Sequence, residues 1–364
     1  MVAMKRLQVP SWTSVVPVVA LAALALTWGS KPAAVVLAGV AVLLAGSVLA
    51  AVHHAEVVAH RVGEPFGSLV LAVAVTVIEV ALIVTLMVSS PPEEAATLAR
   101  DTVFAAVMIT CNGIVGISLL LGALRRRVAS FNAEGTATAL ATVSTLATLC
   151  MVLPTFTTSR PGPEFSPAQL AFAAVASLAL YGLFVVVQTV RHRDYFLPVG
   201  VDVDTDDHAD PPTGRQALIS LGLLLVALVA VVGLAKIESP AIEQAIAAVG
   251  APASAVGVVI ALLVLLPETL AAVRNARRDR VQTSFNLAFG SAMASIGLTI
   301  PALAVASIWL EGPLALGLGP TQMVLLALTV VVGGLTVLPG RATLQEGGVH
   351  LAIFAAFLFL AFNP

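Results

Sequence analysis

The feature that most limits what this chain can fold into is a series of apolar runs, most of them about as long as a bilayer is thick, separated by short polar segments. A helix needs ~20 apolar residues to cross a ~30 Å hydrocarbon core. By that ruler residues 12–28, 33–52, 66–90, 101–123, 136–158, 168–190, 216–235, 253–273, 283–309, 320–338 and 348–362 are eleven candidate spans. Composition closes off the soluble alternative. Only 10% of residues are charged and 59% are apolar, where a soluble domain carries about 25% charged. The expected fold class is an all-α polytopic membrane protein whose constant partner is the lipid bilayer. A net charge of −2 offers nothing to a nucleic acid. Cys111 and Cys150 both fall inside apolar runs, which argues against a disulfide framework or a cysteine metal site. Lys5 and Arg6 before the first run look like the start of a signal peptide. The following Gly29-Ser30-Lys31-Pro32 is a poor cleavage site, so the first run is read as a retained helix.

Charge placement gives an independent reading of topology, because cytoplasmic loops collect Lys and Arg. With the N-terminus inside, 14 of the 18 basic residues fall on the cytoplasmic side, and only Lys31, Arg100, Arg160 and Lys236 fall opposite. The C-terminus is then expected on the far side of a bacterial inner (plasma) membrane. A polar stretch after span six divides the chain. Residues 1–30 form an extra first helix, 31–190 a five-helix unit, 191–214 an acidic cytoplasmic linker and 215–364 a second five-helix unit. Two units of five helices in series must insert with opposite orientation, because five is odd. That is the plan of an inverted repeat, with a site expected between the halves near the midplane.

Burying a charge at mid-bilayer costs at least ~2.5–3.5 kcal/mol, so an ionisable residue there calls for a function. Of twenty acidic residues two lie well inside a span, Glu79 and Glu268, each in the second helix of its unit. Glu79 comes 14 residues after Pro65 and Glu268 15 residues after Ala253. At 1.5 Å per residue both sit about 20 Å from their entry faces. No Lys or Arg lies inside the spans to neutralise them. Thr76 precedes Glu79 by one turn, and Pro267 precedes Glu268 and frees a backbone carbonyl. Carboxylates, hydroxyls and freed carbonyls are hard oxygen ligands, suited to calcium, sodium or potassium. A pair of carboxyls is also a proton carrier, since like charges in low dielectric do not both stay ionised. A site that holds either cation or protons is the physical basis of exchange.

Two stretches carry a family resemblance: residues 53–87, HHAEVVAHRVGEPFGSLVLAVAVTVIEVALIVTLM, and residues 265–307, LLPETLAAVRNARRDRVQTSFNLAFGSAMASIGLTIPALAVAS. They resemble the two alpha repeats of the cation/calcium exchanger superfamily, and more closely those of its bacterial calcium (sodium, potassium)/proton antiporter branch. Each repeat there is a glutamate-bearing helix followed by a helix with a Gly-Ser pair. Gly290-Ser291 follows Glu268 by 22 residues. The resemblance implies that Glu79 and Glu268 bind the ion, as metal ligands, and exchange protons. Thr76, Asn112, Ser291 and Ser295 are the candidate neutral ligands. The chain departs from the family's Gly-Asn-Ala before each glutamate, having Val75-Thr76-Val77-Ile78 and Leu265-Leu266-Pro267 instead. Fewer side-chain oxygens make sodium or potassium transport as credible as calcium transport.

Other polar groups have plainer readings. His53, His54, Glu56 and His60 read as a solvated helix end, because their spacing is not that of a zinc site. Asp202, Asp204 and Asp206 copy three positions of an EF-hand loop, but Asp207 stands where Gly is needed and Thr213 where Glu is needed. They are read as a solvated linker, with an ion-concentrating or regulatory role as the other reading. Glu64 and Asp101, near span ends, are candidates for the entry paths on opposite faces. No enzymatic nucleophile or metal constellation stands out, and no cofactor is implied beyond the transported cations and protons. The expected function is a secondary antiporter that exports calcium, sodium or potassium against protons. The alternative is a passive cation channel on the same scaffold.

Overall fold

The computed structural model describes residues 11–30, 32–63, 66–199, 212–309 and 312–364. Glu64, Asp202, Asp204 and Asp206 lie outside these residues, as do Lys5, Arg6 and Lys31. The helices in chain order are α1 (Trp12–Thr27), α2 (Ala34–Val62), α3 (Phe66–Ser89), α4 (Pro92–Met108), α5 (Val115–Arg126), α6 (Ala133–Ala147), α7 (Leu153–Phe156), α8 (Pro167–Val186), α9 (Gly214–Ala248), α10 (Ala255–Val264), α11 (Leu266–Arg277), α12 (Val281–Gly297), α13 (Thr299–Ala306), α14 (Pro320–Val337) and α15 (Leu344–Phe362). π-helical turns at Ile109–Ile114 and Thr148–Val152 join α4 to α5 and α6 to α7 without leaving the span, and a third, Val187–Arg191, extends α8. The architecture is all-α and polytopic, because in lipid each backbone polar group must find its partner within its own helix.

Among the described residues nine helical spans are long and apolar enough to cross a membrane. A tenth is broken: α10 and α11 bend by 54° where they meet, at Leu265. The continuous helix expected over 253–273 is therefore corrected to two half-helices. Pro267 has no N–H for the carbonyl of Leu263, and the ladder fails there. α1 is apolar but only 16 residues long. The hydropathy ruler also stopped two helices too early. α2 continues to Val62, and α9 runs 35 residues to Ala248. A charge ends an apolar run, but it does not end a helix whose backbone still needs its hydrogen bonds.

Loop contacts sort the connections into two groups. On one face Ala129–Ser130 (β1) pairs antiparallel with Arg341–Ala342 (β2), Arg126 bridges Asp279 at 3.2 Å, and the N–H of Asn132 donates to Gln282 at 2.7 Å. On the other, Glu164 bridges Ala315, the N–H of Ala315 donates to Ala96 O at 3.0 Å, and Ser90 donates to Glu243 at 2.8 Å. Strict up-and-down alternation of the spans requires this grouping.

The apolar interior is divided. One core joins α1, α2 and α9 to one face of α3 and of α10, through residues such as Ala20, Leu44, Ile78, Leu82, Ala227 and Ile260. The other joins α4, α5, α6, α8 and α12 to α15, with Ile83 of α3 and Ala261 of α10 on its border. Both glutamate-bearing spans thus lie on the seam between two packed bodies.

Candidate ion-binding site

α3 is apolar on all sides, so Glu79 owes its place to the helix around it. Val75 and Leu82, one turn to either side of it, pack into the first core, so the carboxyl shares the inward face of α3. Glu79 is 2% exposed. Its Oε2 accepts a 2.9 Å hydrogen bond from the hydroxyl of Ser295 on α12, and its Oε1 has no hydrogen-bond partner among the described residues. Glu268 stands in the first turn of the half-helix α11. There the unpaired N–H groups and the helix dipole favour a negative charge. Its Oε2 is also buried without a hydrogen-bond partner.

Both carboxyls line one cavity of about 220 Å³. The helix break at Leu265 lies three residues before Glu268. Thr76, Ser291 and Ser295 line the same cavity, so five of the six residues singled out for the ion come together. The Thr76 hydroxyl has no partner either. A set of orphaned hard oxygens about two carboxylates suits a small cation or protons and gives no foothold to a soft metal.

The cavity follows α12 from Thr283 through Asn286, Gly290 and Ser291 to Ser295, and Gln188 of α8 faces it near the same end as Thr283. That end adjoins the loops bearing Arg191, Arg193, Arg277 and Arg278. Beyond Ser295 the path closes on Ile83, Leu86, Ile300 and Leu303, all fully buried. Thr283, Asn286 and Gln188 had not been anticipated. The signal for the first two was legible, since 283, 286 or 287, 290 or 291, and 294 or 295 recur at helical spacing along one face.

This polytopic helical fold has counterparts. The family model for sodium/calcium exchanger proteins matches residues 32–190 and 219–363. The chain belongs to that family. A putative ionic transporter, y4hA, of Sinorhizobium fredii is 46% identical over 98% of this chain and 97% of its own. The sodium-potassium/proton antiporter ChaA of Escherichia coli is 35% identical over 95% of this chain and 94% of its own. The solved structure of native YfkE superposes with a TM-score of 0.71 at 16% identity, over 97% of this chain and 99% of that one, and so shares the fold. Members of this family with such relatives are cation antiporters, and the passive channel is not favoured.

Two predicted site residues lie elsewhere. Asn112 is not at the cavity. It sits in the π turn between α4 and α5, where its Nδ2 donates to Thr329 at 2.9 Å and its Oδ1 meets His350 Nδ1 at 3.2 Å. His350 Nε2 in turn lies 3.1 Å from the Thr336 hydroxyl. A residue expected as an ion ligand thus ties α14 and α15 to a bulge in another span. Asp101 is not at a helix end, since α4 starts nine residues before it. It is buried, pairs with Arg100 at 2.8 Å and accepts from Gln322 at 3.1 Å, in a second cavity of about 250 Å³. His54, expected in solvent, is buried between helices.

Proposed function

We propose that this chain exports sodium or potassium, and calcium where available, from the cytoplasm in exchange for protons, with Glu79 and Glu268 holding cation and protons in turn. The observation that carries the reading is the pair of buried carboxyls with orphaned oxygens in one cavity. With a cation between them both carboxylates stay ionised; once it leaves, their mutual repulsion in a low dielectric favours protonation. Neither substrate shares the site with the other, so each drives the other out. The basic loops at the open end of the cavity support a cytoplasm-facing state, with the N-terminus inside and the C-terminus outside an inner membrane. The two matched stretches either side of the acidic linker support two five-helix units, 31–190 and 215–364. Asp101 is proposed for the outer entry path. Glu64 on the inner side, and Asp202, Asp204 and Asp206 as ion-concentrating residues, rest on sequence alone.

The test is proton movement in proteoliposomes with a preset pH gradient, adding sodium, potassium and calcium separately. Wild type is expected to collapse the gradient on adding a transported cation, and Glu79→Gln and Glu268→Gln to abolish the response while remaining in the membrane. Full exchange in either variant would sink the two-carboxylate mechanism. Tracer cation crossing without proton movement would return the channel.

A further inference from the structure

α1 carries a proline in its interior, Pro17. Proline has no N–H, so the carbonyl of Thr13, four residues earlier, has no helical donor. In a bilayer such an orphan is costly. The structure answers it from another helix: His54 Nε2 of α2 lies 3.0 Å from Thr13 O. The other ring nitrogen, Nδ1, lies 3.3 Å from the hydroxyl of Ser220 on α9. A carbonyl only accepts, so Nε2 carries the proton and Nδ1 accepts from Ser220. One imidazole, 3% exposed, therefore joins α1, α2 and α9. Close approaches reinforce it. A Cβ on Gly46 of α2 would lie 3.1 Å from Val16 of α1, and one on Gly233 of α9 would lie 2.4 Å from Leu24. Among the described residues α1 packs on α2 and α9 and makes no other extensive helix contact. All three lie in one core, across the seam from the core that contains α12.

We propose that His54 is the positioning residue that pins α1 onto α2 and α9 by satisfying the carbonyl released by Pro17, so that α1 keeps its place on α2 throughout exchange. The proposal rests on the antiport reading in that exchange is one of its readouts. It excludes α1 as a fixed post against which α2 slides. His54 touches neither ion nor carboxyl.

Two experiments test it on the full chain. The first is a disulfide between Val16→Cys and Gly46→Cys, with Cys111 and Cys150 both buried. Oxidation in proteoliposomes is expected to leave cation-driven proton movement at its reduced level. Inhibition by oxidation, relieved on reduction, would show that α1 and α2 move past each other and would overturn the proposal. The second is a mutant cycle. His54→Leu is expected to lower the melting temperature by roughly 2–4 °C, the shift of a single lost interaction in a sizeable domain. It is also expected to lower maximal exchange with apparent cation affinity unchanged. Pro17→Ala restores the N–H at position 17, and in that background His54→Leu is expected to cost clearly less, the remainder being its contact with Ser220. An equal penalty in both backgrounds would refute the pin. Melting reads the pin without transport, so failed exchange by the wild type would count against the antiport reading and not against the pin.

Discussion

Ser295→Ala removes the 2.9 Å hydrogen bond that the Glu79 carboxyl receives from α12. Among the described residues Oε1 has no hydrogen-bond partner, and Oε2 accepts from the Ser295 hydroxyl at 2.9 Å. A hydrogen bond to a charged group contributes about 1.5–3 kcal/mol in proteins generally. Side-chain hydrogen bonds between membrane helices measure less, up to about 1.7 kcal/mol. Where the ranges meet, at about 1.5 kcal/mol, the loss corresponds to roughly a tenfold change in an equilibrium constant. The alanine variant should therefore need about tenfold more cation for half-maximal exchange, because the bound state requires an ionised Glu79 that is now held by one donor fewer. Ser295→Thr keeps the hydroxyl and should stay within about threefold of wild type by the same conversion of free energy to affinity. The assay is dissipation of a preset proton gradient in proteoliposomes, titrated with sodium and potassium. An apparent affinity in Ser295→Ala within twofold of wild type, while Glu79→Gln is dead, would show that this hydrogen bond has no part in cation binding.

Other substitutions separate ligand from scaffold. Thr76→Val removes a hydroxyl that lines the cavity and has no hydrogen-bond partner among the described residues. It should leave thermal stability unchanged and weaken cation affinity; unaltered affinity would remove Thr76 from the site. His350→Leu should do the reverse, leaving Asn112 and Thr336 without their partner. The cost of a buried unsatisfied group is about 1–3 kcal/mol, read as a lower melting temperature with half-saturation by cation unchanged. A large rise in half-saturation would return Asn112 to the ion site.

The seam at Leu265 shows how far a hydropathy profile reaches. Pro267 was visible as a weak point, and the carbonyl it frees could be named from the chain alone. The size of the bend and its direction, which aim Glu268 into the same cavity as Glu79, depend on how α10 packs against α4 and α11 against α12. Asn112 teaches the opposite lesson. Residue type and the family resemblance make it a candidate ligand, but a π turn rotates the helix locally, and nothing in the residue pattern reports that rotation. His54 lay beyond the membrane ruler and was read as solvated. It is buried because the short α1 and the long α9 both extend alongside that end of α2.

What the sequence determined by itself is whatever the bilayer dictates locally. It determined the apolar runs, the all-helical class and the exceptional status of two carboxyls in hydrocarbon, because those costs are paid residue by residue against lipid. The tertiary structure alone decided which polar groups meet. Ser295 reaches Glu79 across 216 positions of chain, His54 reaches Ser220 across 166, and Asn112 turns to His350 rather than to an ion. Such pairings depend on helix rotation, breaks and packing angles, which local hydrophobicity leaves undetermined because any face of a uniformly apolar helix can turn inward.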